Sequence, residues 1–235
     1  MPKPFYCSLA LCLCFALPAE AQAPAAGPAK LRVLILTGVN NHDWRATTPV
    51  LRGLLEQTGR FEVRVNEEAR GATADTFAGY DALLLNWNDW KKTRGPWWGE
   101  ATQKALLEYV RGGKGLVVYH AANNAFEGWE EYDRLVGGTW RATAGHAPLH
   151  AFTVENKAPQ HPVMKGIPAF AVTDELYHRL SMQPNIQLLA SAFDDPKNCG
   201  KDGKNCGTGQ QEPLFWTVSY GAGRVFQTAL GHHVE

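Results

Sequence analysis

Apolar residues in this chain fall into short runs separated by amphipathic stretches. Leu31-Arg32-Val33-Leu34-Ile35-Leu36, closed by Thr37-Gly38, has the pattern of a strand buried on both faces. Thr48-Pro49 then predicts a helix start, with Thr48 as N-cap and Pro49 in the first turn. Val50, Leu51, Leu54 and Leu55 give that helix its apolar stripe, and Gly59 follows its end. Residues 61–65 alternate like a strand nearer a sheet edge, and residues 82–86 read as a third strand. Ala101, Ala105, Leu106, Tyr109 and Val110 outline a second helix stopped by Gly112-Gly113, and residues 115–119 form a fourth strand. Residues 188–190, 214–218 and 224–229 follow as late strands, the last two joined by a hairpin turn at Tyr220-Gly221-Ala222-Gly223. Strand-helix-strand repetition predicts an α/β fold with a mainly parallel sheet covered on both faces.

The first residues follow a different pattern. Lys3 precedes an apolar run over residues 5–17, and Ala19-Glu20-Ala21 fits a small-x-small cleavage signal. We therefore expect a signal peptide over 1–21, a Pro/Ala/Gly linker over 22–30 and one domain over 31–235, in an exported (periplasmic or extracellular) protein. Cys7, Cys12 and Cys14 would leave with the signal. Cys199 and Cys206 remain in a loop rich in Gly, Asn, Lys and Asp, and an oxidising compartment predicts a disulfide between them.

Charge narrows the function classes. Lys+Arg and Asp+Glu are both 23, so the basic excess of a nucleic-acid binder is missing. At 45% hydrophobic and 20% charged residues the chain is not of the disordered class, and past the signal no apolar run is long enough to span a bilayer.

Ligand sites of open parallel sheets lie at the carboxyl ends of the strands. Here those ends carry Asn40-Asn41-His42-Asp43-Trp44, Asn86-Trp87-Asn88-Asp89-Trp90, His120-Ala121-Ala122-Asn123-Asn124 and Gly231-His232-His233-Val234-Glu235. A second set follows strand four: His146 and His150, four apart, and Thr173-Asp174-Glu175-Leu176-Tyr177-His178. Neutral imidazoles with a carboxylate suit a borderline divalent cation such as zinc. The same groups can serve as general acid and base without metal, and Asp174-Glu175 can equally be a solvated turn. His161-Pro162 reads as a turn with no role. Trp44, Trp87 and Trp90 follow strand ends, where flat rings pack on pyranose faces while Asn and Asp bind hydroxyls.

Several of these segments together resemble the ThuA-like family, named for trehalose utilisation. The matching text is residues 38–44, Ala46-Thr47-Thr48-Pro49-Val50-Leu51, residues 86–90 and 116–126, residues 161–168, Asp174-Glu175-Leu176-Tyr177 and residues 212–232. The resemblance implies a flavodoxin-like, class I glutamine amidotransferase-like three-layer sandwich. Amidotransferase relatives place a nucleophilic Cys on a sharp turn after a central strand. Here that turn reads Val118-Tyr119-His120-Ala121-Ala122, so cysteine-based amide hydrolysis is excluded. In most family members an Asp stands where this chain has His233 and a further helix closes the domain; here the sequence stops at Glu235, so it is either a fragment or a member without that helix.

ThuA-like proteins resemble partners of sugar dehydrogenases that form 3-keto disaccharides. That implies a disaccharide or oxidised sugar as ligand, and no nucleotide cofactor. The expected site has His120, Glu175 and His232 as catalytic groups. His42, His120, His150 and His232 are candidate ligands of a divalent metal, and Trp44, Asn86, Trp87, Asn88, Asn124 and Tyr177 are expected to bind the sugar. At least three of His42, His120, His150, Glu175 and His232 should share one pocket, lined by Trp44 or Trp87. The alternative is a non-catalytic carbohydrate-binding module using the Trp and Asn loops. The exported form should begin at Gln22, and N-terminal sequencing of secreted material that returned Met1 or Pro2 would contradict the cleavage.

Overall fold

A computed structural model describes Met1, residues 29–89 and residues 98–234. The expected signal peptide, most of the linker, Trp90, Trp97 and Glu235 lie outside the described residues. In chain order the elements are β1 (Leu31–Leu36), α1 (Trp44–Gln57), β2 (Phe61–Asn66), α2 (Ala74–Ala78), β3 (Ala82–Leu85), α3 (Glu100–Arg111) and β4 (Gly115–Tyr119). A 3-10 turn over His120–Asn124, α4 (Glu130–Val136), β5 (Gly138–Thr139), β6 (Gly145–His146), β7 (His150–Asn156) and β8 (Phe170–Asp174) come next. β9 (Tyr177–His178), β10 (Ser181–Met182), β11 (Gln187–Phe193), β12 (Gln211–Tyr220) and β13 (Gly223–Thr228) complete the chain.

Nine strands form one sheet in the order β2-β1-β3-β4-β13-β12-β11-β7-β8. The pairs from β2 through β13 are parallel, and those from β13 through β8 are antiparallel. The sheet therefore has a parallel half, as the strand-helix repetition predicts, and an antiparallel wing. Of that wing the apolar pattern shows the β12–β13 hairpin, whose turn is Gly221-Ala222. The wing alternates direction four times, so β8 points the same way as β4 and β13. Its carboxyl end thus reaches the same rim of the sheet.

Strand alternation sorts the core into two layers. Leu34, Leu36, Leu83, Leu85, Leu116 and Val118 meet Phe77, Leu106, Val110 and Leu135 of α2, α3 and α4. Val33, Ile35, Val63 and Leu84 face the other way, against Leu51 and Leu55 of α1. Among the described residues no helix is long and apolar enough to cross a membrane.

Helix α1 begins earlier than Thr48-Pro49 suggests. Asp43 is its N-cap and accepts the Ala46 N–H at 3.0 Å, so Pro49 lies inside the helix. Thr47 and Thr48 are buried, whereas Val50 and Leu54 are exposed, which rotates the buried stripe away from the sequence-based one. The cause is Asn86 beneath: its Nδ2 donates to Thr47 Oγ1 at 3.0 Å and Thr48 Oγ1 at 3.2 Å. A local hydrogen-bonded cluster thus overrides the apolar count.

Cys199 and Cys206 are joined by a disulfide in the loop between β11 and β12. Asp194, fully buried at the root of that loop, accepts from His178 Nδ1 at 2.7 Å and from the Thr208 N–H at 2.8 Å. Replacing both cysteines with serine should lower the unfolding free energy by about 2–3 kcal/mol, the loop-entropy value for so short a ring. Urea unfolding is the measurement. A loss under about 0.5 kcal/mol would show that this anchoring alone fixes the loop.

Candidate active site

Four side chains from three strand ends and the wing meet at one point. His42 precedes α1, His120 directly follows β4, Glu175 follows β8 and His232 lies beyond β13. One ligand-type atom from each falls within 4.8 Å of all the others. Glu175 is the hub. Its Oε2 lies 3.0 Å from His232 Nδ1 and 3.6 Å from both His42 Nε2 and His120 Nε2. Its Oε1 lies 3.4 Å from His146 Nε2.

The backbone aims these groups. His120 has φ 45°, a left-handed conformation costly for a residue with a Cβ and typical of sites where geometry outranks relaxation. It occupies the sharp turn after a central strand. Its Nδ1 donates to the Ala229 carbonyl at 2.6 Å, which leaves Nε2 of the neutral ring as an acceptor. His42 and His146 are locked in the same sense. His42 Nδ1 donates to Asn41 Oδ1 at 3.2 Å, and Asn88 Nδ2 donates to that oxygen at 2.6 Å. His146 Nδ1 donates to the Ala147 carbonyl at 2.8 Å. His42 and His146 thus present Nε2 lone pairs to one carboxylate, and His120 Nε2 lies beside it.

Burial lowers the pKa of His42 and of His232, which favours the neutral rings. Burial alone would raise the Glu175 carboxyl, but when the rings are protonated, hydrogen bonds from His120 and His42 and the charges of His146 and His232 outweigh it. The group is held well below the ordinary carboxylate range. Burial, with Glu175 and Asp174 adding to it, pushes the Tyr177 phenol well above its usual value. Tyr177 therefore stays protonated, and its hydroxyl donates to His120 Nε2 at 2.9 Å.

The cleft over this cluster has a volume of about 380 Å³. Asn124, Tyr177, Trp140 and His146 line it together with Glu175 and His232. His150 is not among the converging groups. Its Nδ1 donates to the Pro148 carbonyl at 2.7 Å and its ring packs on Phe152. His146, from the same sequence motif, reaches Glu175 instead, because β6 pairs it directly with Tyr177.

The expected lining by Trp44 or Trp87 is not found. Trp87 is 2% exposed and packs on Trp98 in the core, and Trp44 lines a separate groove beside Arg45, so neither lines the cleft. Trp140 does. Asn86 and Asn88 lie beneath the rim, tied to Thr47, Thr48 and Asn41. His161 accepts from the Val163 N–H and lines another groove. Sequence reasoning passed over Trp140 and His146 as site residues. A two-residue ladder, β6 with β9, places His146, too short to leave a periodic signal.

Comparison with known proteins gives a consistent family. The family model ThuA, described as trehalose utilisation, matches residues 32–235. A ThuA-like protein of Parabacteroides merdae is 32% identical, covering 87% of this chain and 80% of that one, with a TM-score of 0.74. A ThuA-like protein of Bacteroides uniformis is 20% identical, covering 91% and 86%, with a TM-score of 0.67. A cytoplasmic protein of Salmonella typhimurium shares the fold at 14% identity and a TM-score of 0.57, covering 87% and 90%. A comparison with curated proteins returned no match. With a family model spanning nearly all of the described domain and the fold shared by these structures, this chain belongs to the ThuA family.

Proposed function

We propose that this protein is an exported, metal-dependent enzyme of carbohydrate metabolism that acts on a disaccharide or 3-keto sugar. The reading places a divalent cation such as zinc among His42, His120, Glu175 and His232. The carrying observation is the locked tautomers. His42, with His146 beside it, turns an unprotonated nitrogen toward a buried carboxylate, and His120 Nε2, which accepts from Tyr177, lies 3.6 Å from the same Glu175 oxygen, an arrangement that is repulsive until positive charge lies between them. The remaining ring, His232, has a buried Nδ1 without a hydrogen-bond partner. Ligands about 2.0–2.1 Å from a tetrahedral ion lie about 3.4 Å apart, close to the 3.0–3.6 Å separations around Glu175 Oε2. Hydrogen bonds from ring Nδ1 to carbonyl or amide oxygens are the outer shell that metal-ligating histidines carry.

When bound, such an ion supplies Lewis acidity toward a carbonyl oxygen. The protein's own groups do the rest. Asn124 offers hydrogen bonds to sugar hydroxyls, the Tyr177 oxygen, its proton given to His120, can accept one, and Trp140 offers an apolar ring. Asn86 and Asn88 hold the loops that carry the site, and Trp87 packs in the core against Trp98. This division favours catalysis over the binding-module reading, since most of the Trp and Asn side chains that reading needs are engaged elsewhere. Family membership supports a carbohydrate role, and the Cys199–Cys206 disulfide supports export.

Metal analysis of the purified mature protein should find a single divalent ion per chain. His120→Ala and His232→Ala should lose it, and with it conversion of a 3-keto disaccharide, with the fold retained. His161→Ala should keep both. Full metal content in His120→Ala would refute the shared site, and metal-free wild type that converts the sugar would refute the metal's role.

Acid should act on the same cluster. His42, His232 and Glu175 each have a lowered folded pKa, so each binds fewer protons folded than unfolded. Their stability contribution is present above the unfolded values and fades as pH falls, beginning near about pH 6.5 for the histidines and about pH 4.3 for Glu175. The thermal midpoint of metal-free protein should therefore drop below about pH 6.5, and less so in a His42→Gln, His232→Gln double variant. A midpoint that is flat between about pH 7 and 5 would contradict this.

A further inference from the structure

We infer that Asp174 is a positioning residue that sets both Glu175 and His232 in the site, an inference that rests on the metal reading above. Asp174 is 7% exposed. Its Oδ2 accepts the Gly231 N–H at 2.8 Å, and its Oδ1 accepts the N–H of His232 at 3.2 Å and of Glu175 at 2.7 Å. One carboxylate therefore fixes the backbone of two site residues that come from different elements. Among the described residues no Lys or Arg pairs with it, so backbone amides alone satisfy its oxygens. Its oxygens are spent on those amides, and Asp174 is not one of the four converging groups.

The turn it grips is confined on its other side too. Gly231 has φ 136°, and a Cβ there would lie 2.3 Å from the Tyr119 ring. Tyr119 in turn donates its hydroxyl to the Gly231 carbonyl at 3.0 Å. With the N–H held by Asp174 and the C=O by Tyr119, the Gly231 peptide groups have little freedom, and the next residue is His232. Asparagine could not replace Asp174. Its NH₂ would face either the Gly231 N–H or the pair from Glu175 and His232, donor against donor.

The test is zinc titration with chelator competition, and cobalt absorption, on purified mature wild type, Asp174→Asn and Asp174→Ala. We expect both variants to bind about 10–100-fold more weakly, the effect typical of lost outer-shell partners, with an altered cobalt spectrum. Amide hydrogen exchange at Gly231 and His232 should quicken in Asp174→Asn. A merely structural role would lower the thermal midpoint of metal-free protein and leave zinc affinity at the wild-type value in folded variant, and that result overturns the inference. Asp174→Asn decides if Asp174→Ala does not fold. Wild type that takes up no metal sinks the metal reading and this inference with it, whereas wild-type uptake with unchanged variants sinks the inference alone.

Discussion

A carboxylate buried among imidazole lone pairs is the constraint on which the rest of this structure depends. Glu175 is 8% exposed, and desolvating an ion costs several kcal/mol unless opposite charge compensates it. No Arg or Lys performs that task among the described residues, and the imidazole protons of His42, His120 and His146 point away, into oxygens of Asn41, Ala229 and Ala147. Fixing those protons elsewhere leaves the carboxylate without a fixed positive partner, which the proposed cation would supply. The strained His120, the Asn88–Asn41 pair and the clamped Gly231 turn all serve to hold the rings in that posture.

Sheet direction makes the convergence feasible. β1, β4 and β13 lie in the parallel half, and their carboxyl ends share a rim, as in other open α/β sheets. Glu175 belongs to the antiparallel wing, four strands away from β13 in the sheet order. An even number of reversals returns β8 to the direction of the core strands. β7 meets β11 only through Asn156 and Glu155, so the opposite end of the β7–β8 ribbon, where His150 faces Asp174, can lean over the rim.

Much of this was legible in the sequence, and the failures share a cause. Near-continuous apolar runs give β1, β3 and β4, because strands buried on both faces leave a strong signal. His42, His120 and His232 stand out because polar residues directly after such runs have a known location. Glu175 is visible as part of an acidic pair, but its route to the site depends on the β7–β8 ribbon, whose pairing is non-local. His146 and His150 are equivalent in spacing, and only the β6–β9 ladder separates them. Trp87 and Trp140 are likewise distinguished by packing: one lies under the rim against Trp98, the other faces the cleft against Tyr177. At the start of α1, Thr48-Pro49 is a good local signal that the Asp43 cap pre-empts.

The attachment of the ribbon has a consequence for how the molecule comes apart. β1 and β2 share six register pairs, whereas β7 and β11 share two. Local opening costs least where the fewest ladder bonds must break. By its ladder alone the ribbon is the more weakly tied part, and Asp174 on the Gly231–His232 turn, with Phe152 and Val154 in the core, holds it against the parallel half. The donor set is thus assembled from both halves of the sheet, and a bound cation would act as the rivet that joins them.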